Sequence, residues 1–198
     1  MARRQTAGLG RLGRAWHSPP GNLALSVLLR PAALRWPGHW SILAAVAVLQ
    51  AVQAAAPGTT GLQLKWPNDL MRNGAKLAGV LIEAGSSPGG LWLVIGIGAN
   101  LVAAPAGLSR AVASLDGAVT APTLARAVLD QLAAWRQRYE TAGFPPIRDA
   151  WLAAGPAPGQ ILRATQGNET IEGAFSGLAE DGGLILDGNR MIRAGDIA

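Results

Sequence analysis

The stretch Leu62-Gln-Leu-Lys-Trp-Pro-Asn-Asp-Leu70, followed by Lys76-Leu-Ala-Gly-Val-Leu-Ile-Glu83, constrains the fold more than any other part of this chain. Leu62 and Leu64 alternate with polar residues, which is strand periodicity. Pro67-Asn68-Asp69 carries turn chemistry: proline presets φ, and the Asn and Asp side chains bond nearby backbone. Asn73-Gly74 is a second turn signal, and Val80-Leu-Ile82 is a buried run. The stretch reads as a strand, a tight turn and a returning strand, with Lys65 at the end of an apolar strand just before the turn. Lys65 and Lys76 are the only lysines among 17 Lys+Arg, so the chain otherwise uses arginine for its cations. A compact ammonium and a planar guanidinium are not interchangeable at a tight site. One reading is that both positions require an ammonium; the other is two ordinary solvated lysines.

Composition narrows the chemistry such a hairpin can serve. With Cys 0, disulfides, thiolate metal sites and thioester chemistry are removed. His17 and His39 alone make a histidine metal site or a Ser-His-Asp triad a poor reading. A hydrophobic content of 49% against 15% charged residues describes a chain with a core, and 198 residues hold one medium domain and a small one. The net charge of +5 favours an anionic partner, whether nucleotide, nucleic acid or acidic protein. Ile42 to Ala56 is the most apolar stretch, but Gln50 and Gln53 interrupt it. It falls short of the roughly 20 residues of a membrane span and reads as a buried helix. No secretory signal pattern stands at the start, and the absence of cysteine is compatible with a reducing cytosol, so the expected location is cytoplasmic.

Gln5-Thr-Ala-Gly-Leu-Gly-Arg-Leu-Gly-Arg14 is a Gly-rich loop with cations at Arg11 and Arg14. Gly8, Gly10 and Gly13 permit close backbone approach to a ligand, and such loops cradle phosphates with N–H groups; a mobile solvated loop has the same composition. Trp16 is suited to stacking on a base or to covering the core. Leu23 to Leu29 reads as a strand, and His39 to Ala56 as a helix stopped by Pro57-Gly58. Leu91 to Asn100 reads as a central strand, apolar on both faces. Gly96 and Gly98 within it imply either that something lies against the backbone or a small-residue packing spot. Thr120 opens a helix that runs to about Tyr139, and Pro145-Pro146 a short one through Leu152. Gly155-Pro-Ala-Pro-Gly159 has linker composition. Short strands at 161–165, 170–178, 183–186 and 190–193 follow, with turns at Gly167-Asn168, Asp181-Gly182 and Asp187-Gly188-Asn189. They predict a small closed barrel.

Three of these blocks together resemble the biotin–protein ligase family. The loop Gln5 to Trp16 with Ser18-Pro-Pro-Gly-Asn22 is similar to its Gly-Arg-Gly-Arg ligand loop. Lys65-Trp-Pro-Asn-Asp69 with Lys76-Leu-Ala-Gly79 is similar to its hallmark hairpin, and Gly96-Ile-Gly-Ala-Asn-Leu101 to its third motif. The resemblance implies an α+β fold, with a mixed sheet packed against helices in residues 1–154 and an SH3-like domain in 155–198. It implies ATP-dependent attachment of biotin to a lysine of a biotin carboxyl carrier protein, from acetyl-CoA carboxylase or a related carboxylase, through biotinyl-5′-AMP. ATP, Mg²⁺ and biotin are then the small partners. No membrane is involved, nucleic acid is not the partner of this stretch, and a homodimer is compatible.

By the same resemblance Lys65 holds the carboxylate against the α-phosphate and Arg11 grips their junction. Gln5, Gly8, Leu9 and Gly10 join them on the biotin side. Arg14, Trp16, Asn68, Lys76 and Asn100 belong to the nucleotide side, with Asn68 near Mg²⁺ and Lys76 a supporting cation. Two departures stand out. Leu9 and Leu12 occupy positions where the family usually has Arg. The strand and helix that carry the family's Ser/Thr-Thr-Asn-type biotin contact have no counterpart after Met1, which implies a chain shortened at its front. The alternatives are a lipoate or octanoate ligase or transferase of the same fold, a non-catalytic biotin or adenylate binder, and a duplex nucleic-acid binder resting on the arginine cluster.

Overall fold

The computed structural model describes residues 1–105, 107–108, 110–166, 169–193 and 195–197. Strands β1 (Leu23–Leu29), β2 (Leu62–Lys65), β3 (Asp69–Arg72), β4 (Ala75–Ser87) and β5 (Gly90–Ala99) form one sheet in the order β1-β5-β4-β3-β2. Every pairing between these strands is antiparallel, and among the described residues the parallel component of the expected mixed sheet is an isolated bridge from Lys76 to Val112. The hairpin expected around Lys65 is a three-stranded meander: Trp66 to Asn68 make the first turn, and Asn73-Gly74, both at positive φ, the second.

Helix α1 (Pro37–Ala55) starts with Pro37 in its first turn and is apolar nearly all round. It is long and apolar enough to cross a membrane by length and composition, yet from His39 to Val52 all but Ser41 and Gln50 are buried within the molecule. Helices α2 (Ala121–Ala142) and α3 (Pro145–Leu152) pack against it. Thr120 caps α2, its hydroxyl accepting from the Thr123 N–H. In β5 the odd positions Leu93, Ile95, Ile97 and Ala99 are buried in the common core. The even positions Val94, Gly96 and Gly98 lie on the other face and are only half-buried. The strand is central in the sheet, as expected, but only one of its faces is packed.

Strands β6 (Ile161–Gln166), β7 (Glu169–Leu178), β8 (Leu184–Leu186), β9 (Arg190–Ile192) and β10 (Asp196–Ile197) form a second antiparallel ladder in the order β10-β6-β7-β8-β9. Among the described residues β9 and β10 stand at the two ends of this ladder. The predicted Gly167-Asn168 turn lies outside the described residues.

The ladder is fastened to the helices and to the first sheet. Trp151 of α3 meets Phe175 of β7 edge-on with ring centroids 6.2 Å apart, and just after α3 the Ala154 carbonyl accepts from the Leu64 N–H of β2 at 2.7 Å. The turn 179–183 offers two carbonyls to side chains of the other half. Trp66 Nε1–H donates to Gly182 O at 3.0 Å, and His39 Nε2 lies 2.6 Å from Glu180 O. A carbonyl can only accept, so Nε2 carries the proton and Nδ1 accepts from the Tyr139 hydroxyl at 2.9 Å. His39 also stacks on Phe144 at 3.9 Å. The helix-start histidine is thus a buried bridge between α1, α2 and the ladder.

Burial holds His39 below its ordinary value of 6.5, against the opposing pull of the Glu180 carbonyl and the Asp181 and Glu180 charges. The unfolded chain therefore binds a proton more readily than the folded one just below that value. Stability is fully present above pH 6.5 and falls as pH drops from there towards the lowered value. Urea midpoints at pH 7.5 and about 5.5 should differ, and His39→Gln, whose amide can make both bonds, should flatten this part of the difference.

Candidate active site

The half-buried face of the first sheet forms the floor of a cavity of about 390 Å³. The register sets Ser26, Gly96 and Leu81 side by side, then Ala24, Gly98 and Gly79, then Leu28, Val94 and Glu83. Gly79, Leu81, Glu83, Val94, Gly96, Gly98 and Ser26 all line the cavity. The two glycines of β5 have different causes. A Cβ on Gly98 would fall inside the Trp16 indole, so the ring occupies the missing side chain's place. A Cβ on Gly96 would meet nothing nearer than Leu81 at 3.6 Å, an ordinary contact, and φ there is not positive. Among the described residues nothing in the packing requires glycine at 96.

Another wall of the cavity is the loop Gln5–Trp16, folded as a small hairpin. Gly10 N–H donates to Arg14 O at 2.7 Å, Trp16 N–H donates to Gly8 O at 2.8 Å, and Leu9 bridges Ala15. A Cβ on Gly8 would press on the Trp16 carbonyl. A 3-10 turn, Arg11–Gly13, forms its tip, with Leu12 at φ 57° and 80% exposed. The loop is built, not merely solvated.

Lys76, early in β4, is a half-buried cation of the site. Its Nζ bonds Asp69 Oδ1 at 2.5 Å, with the two side chains 12% and 17% exposed, and lies 5.6 Å from the centre of the Trp16 ring. Its backbone is held from outside the sheet as well. Lys76 N–H donates to Ala111 O at 3.0 Å, and Ala113 N–H donates to Lys76 O at 2.9 Å. Lys65 pairs across the turn with Asp69 in the strand register and is half-buried. Asn68 is buried, with Nδ2 donating to Val80 O and its own carbonyl accepting from Val80 N–H at 3.0 Å.

Of the residues assigned from sequence, Gln5, Leu9, Gly10, Arg11, Arg14, Trp16, Lys65, Asn68 and Lys76 line this cavity. Gly8 stands behind it and shapes the loop. Asn100 is 1% exposed and turned into the protein: Nδ2 donates to Ala113 O at 3.0 Å, and Oδ1 accepts from Asn22. Asp69, Ser26, Leu81 and Glu83 also line the cavity, and the sequence alone carries no signal that marks them as site residues. Asp69 stood inside the turn motif, where its turn chemistry masked its second use as the partner of Lys76. A second hollow of about 400 Å³ lies between β1 and α2, lined by Leu29, Trp40, Leu43, Ile95 and Leu132. Its charged members Arg136 and Glu140 pair with each other at 2.7 Å, so it lacks the convergent polar groups of the first.

The sequence pattern of the biotin/lipoate A/B protein ligase family matches residues 1–100, and that of the biotin protein ligase C-terminal domain matches 159–198. The chain belongs to the biotin/lipoate protein ligase family. Among its relatives is a biotin–[acetyl-CoA-carboxylase] ligase of Paracoccus denitrificans, 40% identical over 200 residues, covering 95% of this chain and 83% of that protein. A bifunctional ligase/repressor BirA of Bacillus subtilis is 34% identical over 206 residues, 98% of this chain, which spans only 62% of it. The biotin protein ligase of Aquifex aeolicus, solved in complex with biotin and ATP, superposes with a TM-score of 0.85 at 25% identity, covering 99% of this chain and 85% of that one. The family's α+β ligase fold is therefore the fold of this chain, and the glycine-floored cavity lies within the residues that match the family pattern.

Proposed function

We propose that this chain is an enzyme that joins biotin to a lysine of a biotin carboxyl carrier protein, from acetyl-CoA carboxylase or a related carboxylase, by way of biotinyl-5′-AMP. In the first step a biotin carboxylate oxygen attacks the α-phosphorus of ATP. The bond to the oxygen bridging to the β-phosphorus breaks, and pyrophosphate leaves. In the second, the neutral amine of a carrier lysine attacks the acyl carbon, AMP departs, and the amine gives up a proton. Neither step needs a nucleophile from the enzyme, so catalysis is positioning and charge neutralisation.

The observation that carries this reading is the Lys76–Asp69 pair beside Trp16, over a floor of glycines. A confined ammonium can screen two anions from each other and stabilise charge developing on phosphorus oxygens. Lys65 and Arg11 are the cations at the junction, with Lys76, held by Asp69, as the supporting cation beside them. Gln5, Gly8, Leu9 and Gly10 enclose the biotin side. Trp16, which lines the cavity, belongs to the adenine side, with Arg14 and Asn68 along the phosphates, and Asn100 acts through the segment it holds. Mg²⁺ would arrive on the ATP phosphates near Asn68, since among the described residues no group of three or more His, Cys, Asp and Glu comes together. The division into 1–154 for this chemistry and 155–198 for the ladder belongs to the same proposal.

The test is biotin-dependent exchange of pyrophosphate into ATP, run beside lipoate and octanoate. No exchange with biotin, or preference for either competitor, overturns the reading. Gly98→Ala probes the nucleotide side: the added methyl displaces the indole from the sheet. Half-saturation by ATP should rise about tenfold, the worth of one aromatic contact, with that for biotin nearly unchanged.

A further inference from the structure

Asn22 is a buried carboxamide, 5% exposed, at the end of the Ser18-Pro-Pro-Gly-Asn22 segment, and it is used at both ends. Oδ1 accepts from the N–H groups of Leu101 at 2.9 Å and Val102 at 3.0 Å, with Ala103 N–H at 3.4 Å. Nδ2 donates to Ala103 O at 2.8 Å and reaches Asn100 Oδ1 at 3.4 Å. The approach is close enough that Gly21, at φ 88°, could carry no Cβ without meeting Val102 at 2.8 Å.

The second of those donors matters most. A carboxamide has one accepting and one donating end. With Asn22 Nδ2 against its oxygen, Asn100 must turn its own Nδ2 towards Ala113 O. Asn100 N–H donates to Leu77 O at 2.9 Å, and its carbonyl accepts from Leu115 N–H at 3.0 Å, so Asn100 ties the residue after Lys76 to the 113–115 segment. That segment closes on Lys76 through the Ala113 N–H to Lys76 O bond and the Lys76 N–H to Ala111 O bond. Arg110 and Ala111 belong to the cavity wall. A continuous run of short-range polar contacts therefore leads from Asn22 to the backbone of the confined lysine.

We propose that Asn22 is a positioning residue for the adenylation site, acting through Asn100 and the 111–113 segment on Lys76. The inference rests on the role given to Lys76 above. Asn22 touches no cavity-lining charge itself. Its effect is to fix which way Asn100 faces, and so how firmly the second wall grips the Lys76 backbone. A shift of this kind leaves the biotin pocket formed and moves the cation relative to the phosphorus.

Asn22→Asp tests this directly. It keeps the shape and the accepting oxygen, but sets a second oxygen against Asn100 Oδ1 and Ala103 O. Asn22→Ser, smaller and uncharged, is the companion should the aspartate fail to fold. In the full chain, either variant should lower kcat for biotin-dependent exchange about tenfold or more, since small misplacements at a reacting centre are costly. KM for biotin should stay within about twofold. Amide hydrogen exchange should quicken at Lys76 and Ala113 while Leu93 to Ile97 keep their protection. A lower melting temperature with kcat intact at 20 °C, or unchanged protection at Lys76 and Ala113, would show that Asn22 only holds the fold and overturns the proposal. If the unaltered chain gives no exchange, the ligase reading falls on that result alone, and the hydrogen-exchange arm still decides whether Asn22 reaches Lys76.

Discussion

Lys65→Gln is expected to lower biotin-dependent exchange of pyrophosphate into ATP by about a hundred- to a thousandfold, the usual loss when one preorganised electrostatic contact is removed from a reacting centre. The loss should fall on kcat, because screening of the carboxylate from the α-phosphate matters most as the bond forms. Folding should survive, since Lys65 is only half-buried and the β2–β3 pairing is a backbone contact. Lys65→Arg is the companion measurement. If Lys65 has to be a compact ammonium, arginine there will cost nearly as much. A mild Lys65→Gln beside a severe Lys76→Gln would assign the junction to Lys76 and remove Lys65 from the role proposed for it.

The second large effect concerns a side chain that is absent. Gly96→Val should raise KM for biotin by about a hundredfold or more without lowering the melting temperature. Glycine inside a strand costs about 0.5–1 kcal/mol relative to alanine, and valine is at home on a pleated surface. A Cβ at 96 meets only Leu81, in ordinary contact, and φ is unstrained. The protein would thus gain locally from a side chain there, and the space lies on the cavity floor. Valine should fill the place of the ligand's ring system. A melting temperature that falls while KM stays put would mean that the glycine serves packing after all.

Much of this was legible in the chain. The strands 23–29 and 91–100, the three helices and the Thr120 cap follow from periodicity and from Pro and Gly punctuation, which act locally. The Lys65 to Lys76 stretch was legible as a turn-bearing strand pair with two exceptional cations. What sequence could not carry was pairing across distance. That Gly98 makes room for Trp16 while Gly96 makes room for none of the described residues depends on which side of β5 faces the loop. That Asp69 holds Lys76 depends on the β3–β4 register, which shifts between Leu70 and Met71. The inward turn of Asn100 depends on Asn22, distant in sequence and adjacent in space.

The turn 179–183 bears on how the molecule can be taken apart. The Pro-Gly composition of 155–159 invites a cut there, as if the ladder were a detachable module. Its two carbonyls, though, satisfy the buried indole N–H of Trp66 and the imidazole of His39. Trp66 directly follows Lys65 in the hairpin. Severing the ladder would strand both donors and bare the ring of Trp151, so the catalytic half is not a self-contained unit. A reporter or affinity tag fused in place of the ladder would be felt inside the hairpin itself.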